Sequence, residues 1–194
     1  MTQELLTLFR NEGALLSGHF QLSSGRHGDR YLQCALILQK PPLAETLGRS
    51  LAGRFQTQKI DVVIGPALGG ILVSYEVARA LGVRSIFAER ENGVLTLRRQ
   101  FQIREGEKAL VVEDVVTTGK STQEVIDLVR RHQGVVVGVG ALVDRSGGEA
   151  QFGVPLEALL QLNLETYDPK ECLLCQKGAP VLKPGSRPSP VSPG

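Results

Sequence analysis

The residues with the plainest chemistry lie in one stretch, Ala109-Leu-Val-Val-Glu113-Asp114-Val115-Val116-Thr117-Thr118-Gly119-Lys120-Ser121-Thr122. An apolar run ends in two adjacent acids, passes into a loop of small polar residues, and continues as a helical pattern. At the carboxyl end of a parallel strand, such a loop surrounds a concavity with hydroxyls and free backbone N–H groups, and a helix N-terminus points into it. A phosphate fits there, with each charge-assisted hydrogen bond contributing about 1.5–3 kcal/mol. Glu113 and Asp114 repel a phosphate and suit instead the neighbouring sugar hydroxyls, or a magnesium ion reached through water.

The elements that must hold this loop follow from hydrophobic periodicity. Short apolar runs at 60–64, 84–88, 109–112 and 135–143 alternate with helical stretches at 71–81 and 121–131. Strands apolar on both faces and separated by helices predict an α/β domain with a mainly parallel central sheet of about five strands. Asn92-Gly93 interrupts the rhythm between residues 87–90 and 94–98 and predicts a tight hairpin tipped with arginines. Ahead of this region, Leu5, Leu8 and Phe9 after a possible N-cap at Thr2 predict a short helix ending near Gly13. Strands at 20–22 and 31–35 flank a polar, glycine-rich segment at 23–29 that reads as a loop. Pro41 and Pro42 then open a core-facing helix with Leu43, Leu47, Leu51 and Phe55 on one face. Residues 156–164 fit a final strand or a helix equally, and residues 183–194, with four of the ten prolines, read as a disordered tail.

The stretch around Glu113 resembles the phosphoribosyl diphosphate signature of type I phosphoribosyltransferases. Leu22-Ser-Ser-Gly-Arg26 followed by Tyr31-Leu32-Gln33, Gly65-Pro66-Ala67-Leu68-Gly69-Gly70, and Leu142-Val143-Asp144-Arg145 occur in the order and at the spacing of the orotate phosphoribosyltransferases. The resemblance covers about residues 1–168, of which about 1–40 would form a hood, and leaves 169–194 as a C-terminal extension. It implies transfer of ribose 5-phosphate from phosphoribosyl diphosphate to orotate, with Mg2+ carried by the diphosphate, in a homodimer with shared active sites. The cytoplasmic location expected for the chain rests on its cysteine count and on the lack of a signal-like N-terminus. Phosphoribosyl diphosphate would be held by Glu113, Asp114, Val115, Val116, Thr117, Thr118, Gly119, Lys120 and Ser121, by Ala67, Leu68 and Gly69, and by Arg90. Orotate would meet Thr117, Arg145, Tyr31 and Leu32.

Each of these residues also has an ordinary use. Tyr31 and Leu32 could be strand core, the glycines a plain strand-to-helix turn, and Arg145 a solvated loop residue. The chain departs from the commoner family pattern, which has lysines where Ser23 and Gly69 stand and a longer lysine- and histidine-bearing loop where this chain has residues 90–99. Arg90, at a basic position of the family, with Arg98 and Arg99 are the candidates for restoring charge against the leaving diphosphate, although charge runs usually face water. Two alternatives stay open: a phosphoribosyltransferase for another base, and a non-catalytic nucleotide-binding regulator.

Composition narrows the classes further. The 194 residues carry a net charge of +2, so no general positive field makes nucleic acid the default partner. Fifteen arginines against seven lysines suit phosphate and carboxylate ligands. No apolar run reaches the roughly 20 residues that span a bilayer. Three cysteines give no even disulfide framework and fit a reducing compartment. Cys172-Leu-Leu-Cys175 is a single CxxC with neither a second pair nor a histidine near it in sequence, so a four-ligand metal site within one chain is not expected. Two chains could pool their cysteines. His19, His27 and His132 read as ordinary polar residues.

Overall fold

The computed structural model describes residues 2–22 and 24–184. Amphipathic α1 (Thr2–Asn11) leads into an antiparallel pair, β1 (Leu15–Gln21) and β2 (His27–Leu32). A short α2 (Ala35–Leu38) follows, then α3 (Pro41–Ala52), which begins on its two prolines and buries Ala44, Leu47, Leu51 and Ala52. The remaining elements alternate: β3 (Val62–Pro66), α4 (Gly69–Leu81), β4 (Arg84–Glu91), β5 (Val94–Leu97), β6 (Lys108–Val116), α5 (Lys120–Arg131), β7 (Val135–Asp144), β8 (Leu156–Gln161), β9 (Thr166–Tyr167) and α6 (Leu173–Gln176).

The central sheet has the order β5-β4-β3-β6-β7-β8. Five of its strands are parallel, and β5 folds back antiparallel on β4. Because side chains alternate along a strand, β6 feeds two cores at once. Leu110 and Val112 pack with Leu47, Leu51, Val73 and Val77 of α3 and α4, while Ala109 and Val111 pack with Val125, Ile126 and Val129 of α5. Burial on both faces is why these strands read as continuous apolar runs.

Several expectations are revised. Residues 156–164, ambiguous in sequence, contain β8. The expected loop at 23–29 is shorter, because Gln21 pairs with His27 and Phe20 with Gly28, drawing His27, Gly28 and Asp29 into β2. The second of these strands ends at Leu32, and Ala35 already opens α2. The hood sheet is not purely N-terminal, since β9 pairs with β2 through His27–Tyr167 and Gly28–Thr166. The hairpin forms as expected, with Asn92 at φ 51° and Gly93 at φ 85°, the two left-handed positions of a type I′ turn. Ser23 and, from residue 185 onward, the expected tail lie outside the described residues. Among the described residues, no helix is long and apolar enough to cross a membrane.

Candidate functional site

Three neighbouring parallel strands, β3, β6 and β7, bring their carboxyl ends to one edge of the sheet. Open α/β sheets bind ligands at this edge, where loops leave and helix N-termini arrive. β6 delivers Glu113 and Asp114 there. Glu113 is buried and accepts a hydrogen bond from Ser121 Oγ at 3.0 Å, and Asp114 accepts one from the Val115 N–H at 2.9 Å. Burial and the neighbouring Asp114 charge hold the Glu113 carboxyl well above the usual carboxylate range, and burial also raises Asp114. Among the described residues no cation is paired with these two desolvated acids, and sugar hydroxyls or a hydrated divalent cation would supply what they need.

Beyond the acids, Thr117, Thr118 and Lys120 are exposed around Gly119, which takes φ 74° to turn the chain into α5. The first turn of α5 carries no acidic residue, and its N-cap Gly119 offers no side chain. The Lys120 N–H donates a long bond of 3.5 Å to the Thr118 hydroxyl, and the positive end of the dipole faces the loop, where a phosphate would be favoured. Val115 and Val116 pack into the cores, so their contribution to a ligand goes through the backbone. Ser121, assigned to the phosphate from sequence, spends its hydroxyl on Glu113 and so ties the loop to the acid pair.

The loop between β3 and α4 lies directly against these acids. Ala67 donates its N–H to the Ala88 carbonyl at 2.8 Å, the Ala67–Leu68 peptide is cis, and Leu68 points outward. Gly69 is the point of contact: a Cβ there would sit 2.7 Å from both carboxylate oxygens of Asp114. Gly69→Ala would push the Asp114 carboxylate aside while leaving the backbone in place. It is expected to lower kcat/KM for phosphoribosyl diphosphate about tenfold or more with a nearly unchanged Tm, measured by steady-state kinetics alongside thermal unfolding.

At the end of β7, Arg145 donates its N–H to the Val116 carbonyl at 2.8 Å, which locks it to the acid-bearing strand. Its Nε is buried and has no hydrogen-bond partner among the described residues, and burial lowers its pKa. Tyr31 is its neighbour: burial and Asp114 raise the phenol, and the Arg145 charge lowers it. The hood thus brings a side chain close enough to feel the charges of both Asp114 and Arg145. Leu32 points the other way along β2 into the hydrophobic core, so any contact it makes with a base goes through its backbone. Cys34 was missed in sequence. It is buried, and its thiol is pushed well up by burial and by Asp114 and Glu113, which places it in the wall beside the acids. A lone cysteine just after Gln33 carries no sequence signal for that role.

The arginines of the hairpin stand apart. Arg90 donates to the Gly93 carbonyl at 2.6 Å and pairs with Glu124 of α5 at 2.6 Å. Arg99 forks onto Glu89 at 2.8 and 2.9 Å and lies over the Phe87 ring, while Arg98 lies 3.8 Å from Glu91. The structure does not gather Arg98 and Arg99 around the phosphate loop, because carboxylates of their own hairpin hold them. Arg90 reaches α5 and stands nearer to it.

Comparisons with known proteins agree with this geometry. The family model for a phosphoribosyl transferase domain matches residues 35–151. An orotate phosphoribosyltransferase of Desulforamulus reducens is 59% identical over 185 residues, covering 95% of this chain and 97% of the relative. One from Pelotomaculum thermopropionicum is 59% identical over 184 residues, with 95% and 97% covered. The crystal structure of orotate phosphoribosyltransferase from Aeropyrum pernix superposes with a TM-score of 0.69 at 28% identity, over 81% of this chain and 93% of that one. With the paired acids, the 117–121 loop and Arg145 at one sheet edge, and relatives matched along nearly their whole length, the chain belongs to the phosphoribosyltransferase family, among the orotate phosphoribosyltransferases.

Proposed function

We propose that this protein transfers the 5-phosphoribosyl group of phosphoribosyl diphosphate to N1 of orotate, forming orotidine 5′-monophosphate and diphosphate in pyrimidine biosynthesis. The observation that carries the reading is Arg145, a half-buried guanidinium with an unpartnered Nε beside Tyr31 and the acid pair. An anionic base satisfies it, whereas a neutral base leaves a buried charge unpaired.

The reaction breaks the C1–O bond to diphosphate and forms C1–N1, with positive charge on the sugar and negative charge on the leaving group in between. The loop at 117–121 and the α5 N-terminus would fix the 5-phosphate, and Glu113 and Asp114 would hold the ribose hydroxyls so that C1 stays aligned with N1. Glu113 and Asp114, a pair of buried oxygen donors, would hold a hydrated magnesium ion through water, and the ion, when bound with the diphosphate, would neutralise charge on the leaving group. The backbone at Ala67, Leu68 and Gly69 would cradle the diphosphate beside Asp114. A turnover assay with orotate, uracil and purine bases, with and without magnesium, tests the assignment. Orotate-specific, magnesium-dependent release of diphosphate is expected, and turnover of a neutral base in preference to orotate would overturn it.

In this reading Arg90, Arg98 and Arg99 swing over the diphosphate as a stiff flap, exchanging their carboxylate partners for the leaving group. Arg98→Ala/Arg99→Ala is expected to lower kcat about tenfold or more with KM for orotate nearly unchanged, since charge on diphosphate grows toward the transition state. Wild-type kcat in that variant would reduce the hairpin to a solvated surface feature. A homodimer with shared sites completes the proposal, and the exposed apolar side chains of Leu68, Leu72 and Tyr75 at the start of α4 and along it offer a second copy a surface. Subunit exchange between Arg98→Ala/Arg99→Ala and Asp114→Ala dimers would then restore one good site per mixed dimer. The cytoplasm, where free thiols persist, is the proposed location.

A further inference from the structure

The fold brings together four side chains that the phosphoribosyl site does not use. His19 comes from β1, His27 from β2, and Cys172 and Cys175 from the turn around α6, more than 140 residues away in sequence. Their ligating atoms all lie within 4.8 Å of one another. His19 Nε2 is 2.9 Å from His27 Nδ1, 3.5 Å from Cys172 Sγ and 3.6 Å from Cys175 Sγ, and Cys175 Sγ is 3.2 Å from His27 Nδ1. A tetrahedron built with Zn–N of about 2.0–2.1 Å and Zn–S of about 2.3 Å has N–N edges of about 3.3 Å and N–S edges of about 3.5 Å. Those four separations fit these edges to within a few tenths of an ångström.

We infer that His19, His27, Cys172 and Cys175 form a structural zinc site that clips the C-terminal segment to the hood. The orientation of His19 supports it. Its Nδ1 lies 2.9 Å from the Ala179 carbonyl, and donation there leaves the Nε2 lone pair aimed into the cluster, as the outer hydrogen bond of a metal-bound histidine does. The environment supports it as well. His19, His27 and Cys172 are buried and Cys175 is partly so, and two thiolates on Zn2+ sum to a neutral centre that a buried position tolerates. Four protein ligands close the shell, which marks a structural rather than a catalytic site, and a two-sulfur, two-nitrogen tetrahedron selects zinc over magnesium.

The clip has a mechanical purpose in this fold. Beyond Cys172, Leu173, Val181 and Leu182 are exposed, so this segment buries little of its own apolar surface. It is held to β1 by two backbone bonds of 2.8 Å, Leu182 N–H to His19 carbonyl and Gln21 N–H to Leu182 carbonyl. A metal that folds such a segment supplies what its small core cannot. The ligands also lie on either side of the connection from β1 to β2, the strand carrying Tyr31, so the clip would steady the hood over the base.

The test uses the full chain, purified without a metal-affinity step and kept in reductant. Elemental analysis should give about one zinc per chain, and X-ray absorption at the zinc edge should give two sulfurs near 2.3 Å and two nitrogens near 2.0 Å. Cys172→Ser/Cys175→Ser should lower the zinc content at least tenfold, as should His19→Asn. If these variants fail to fold, stripping the wild-type chain with a chelator and adding cobalt(II) should yield the absorption of a tetrahedral thiolate site, and Tm should fall on stripping and return on adding zinc. A chain that neither contains nor takes up zinc, a Cys172–Cys175 disulfide under these conditions, or an all-sulfur shell with one zinc per two chains would each overturn the proposal.

Discussion

Glu113→Ala and Asp114→Ala are each expected to lower kcat/KM for phosphoribosyl diphosphate by at least tenfold, a loss of about 1.4 kcal/mol or more. The reason lies in what the pair costs without a ligand. Both carboxyls are raised by burial, and Glu113 also by its neighbour's charge. A carboxyl whose folded pKa lies above its unfolded value subtracts stability as pH rises from the ordinary carboxylate range through the folded pKa. Removing either acid therefore relieves that penalty, and Tm at neutral pH should stay level or rise while turnover falls. Steady-state kinetics and thermal unfolding on the same preparations check both halves. A folded double variant with wild-type kinetics would remove the acids from the mechanism, and a lowered Tm would mean that they act as structural residues through the Ser121 hydroxyl.

Arg145→Ala should raise KM for orotate by a factor of about thirty or more while moving KM for phosphoribosyl diphosphate far less. Truncating one member of a buried charge pair costs about 2 kcal/mol at the least, because the remaining ligand charge is left without a partner. The main chain at Arg145 is held by its N–H bond to the Val116 carbonyl, which survives the substitution, so the neighbouring loop should keep its shape. Arg145→Lys tests the geometry as opposed to the charge, since a lysine ammonium cannot present the flat fork that suits a carboxylate. Equal rises in both KM values would show that the residue shapes the whole cavity and does not recognise the base.

Much of the phosphate site was legible because it is local. The run from Ala109 to Thr122 contains the strand, the acids, the loop and the helix start within fourteen consecutive residues, and each follows from period, side-chain type and turn chemistry. Asn92-Gly93 likewise carried its own turn. The hairpin arginines were legible as charge but not as partners. Whether Arg99 faces diphosphate or Glu89 depends on cross-strand register, which pairs Glu89 with Thr96 and brings the carboxylate within reach.

What the sequence by itself determined is the set of elements whose causes lie within a few residues: the parallel-sheet strands, the amphipathic helices, the tight hairpin and the loop after the paired acids. Tertiary structure alone decided which distant segments meet. Only folding sets Gly69 against Asp114, Tyr31 beside Arg145, β9 against β2, and the lone CxxC against two histidines of the hood. Such meetings leave no periodic trace along the chain. They arise because β1 and β2 must pair before His19 and His27 can face one side, and because the C-terminal segment buries so little of its own apolar surface that it must find its anchors on the hood.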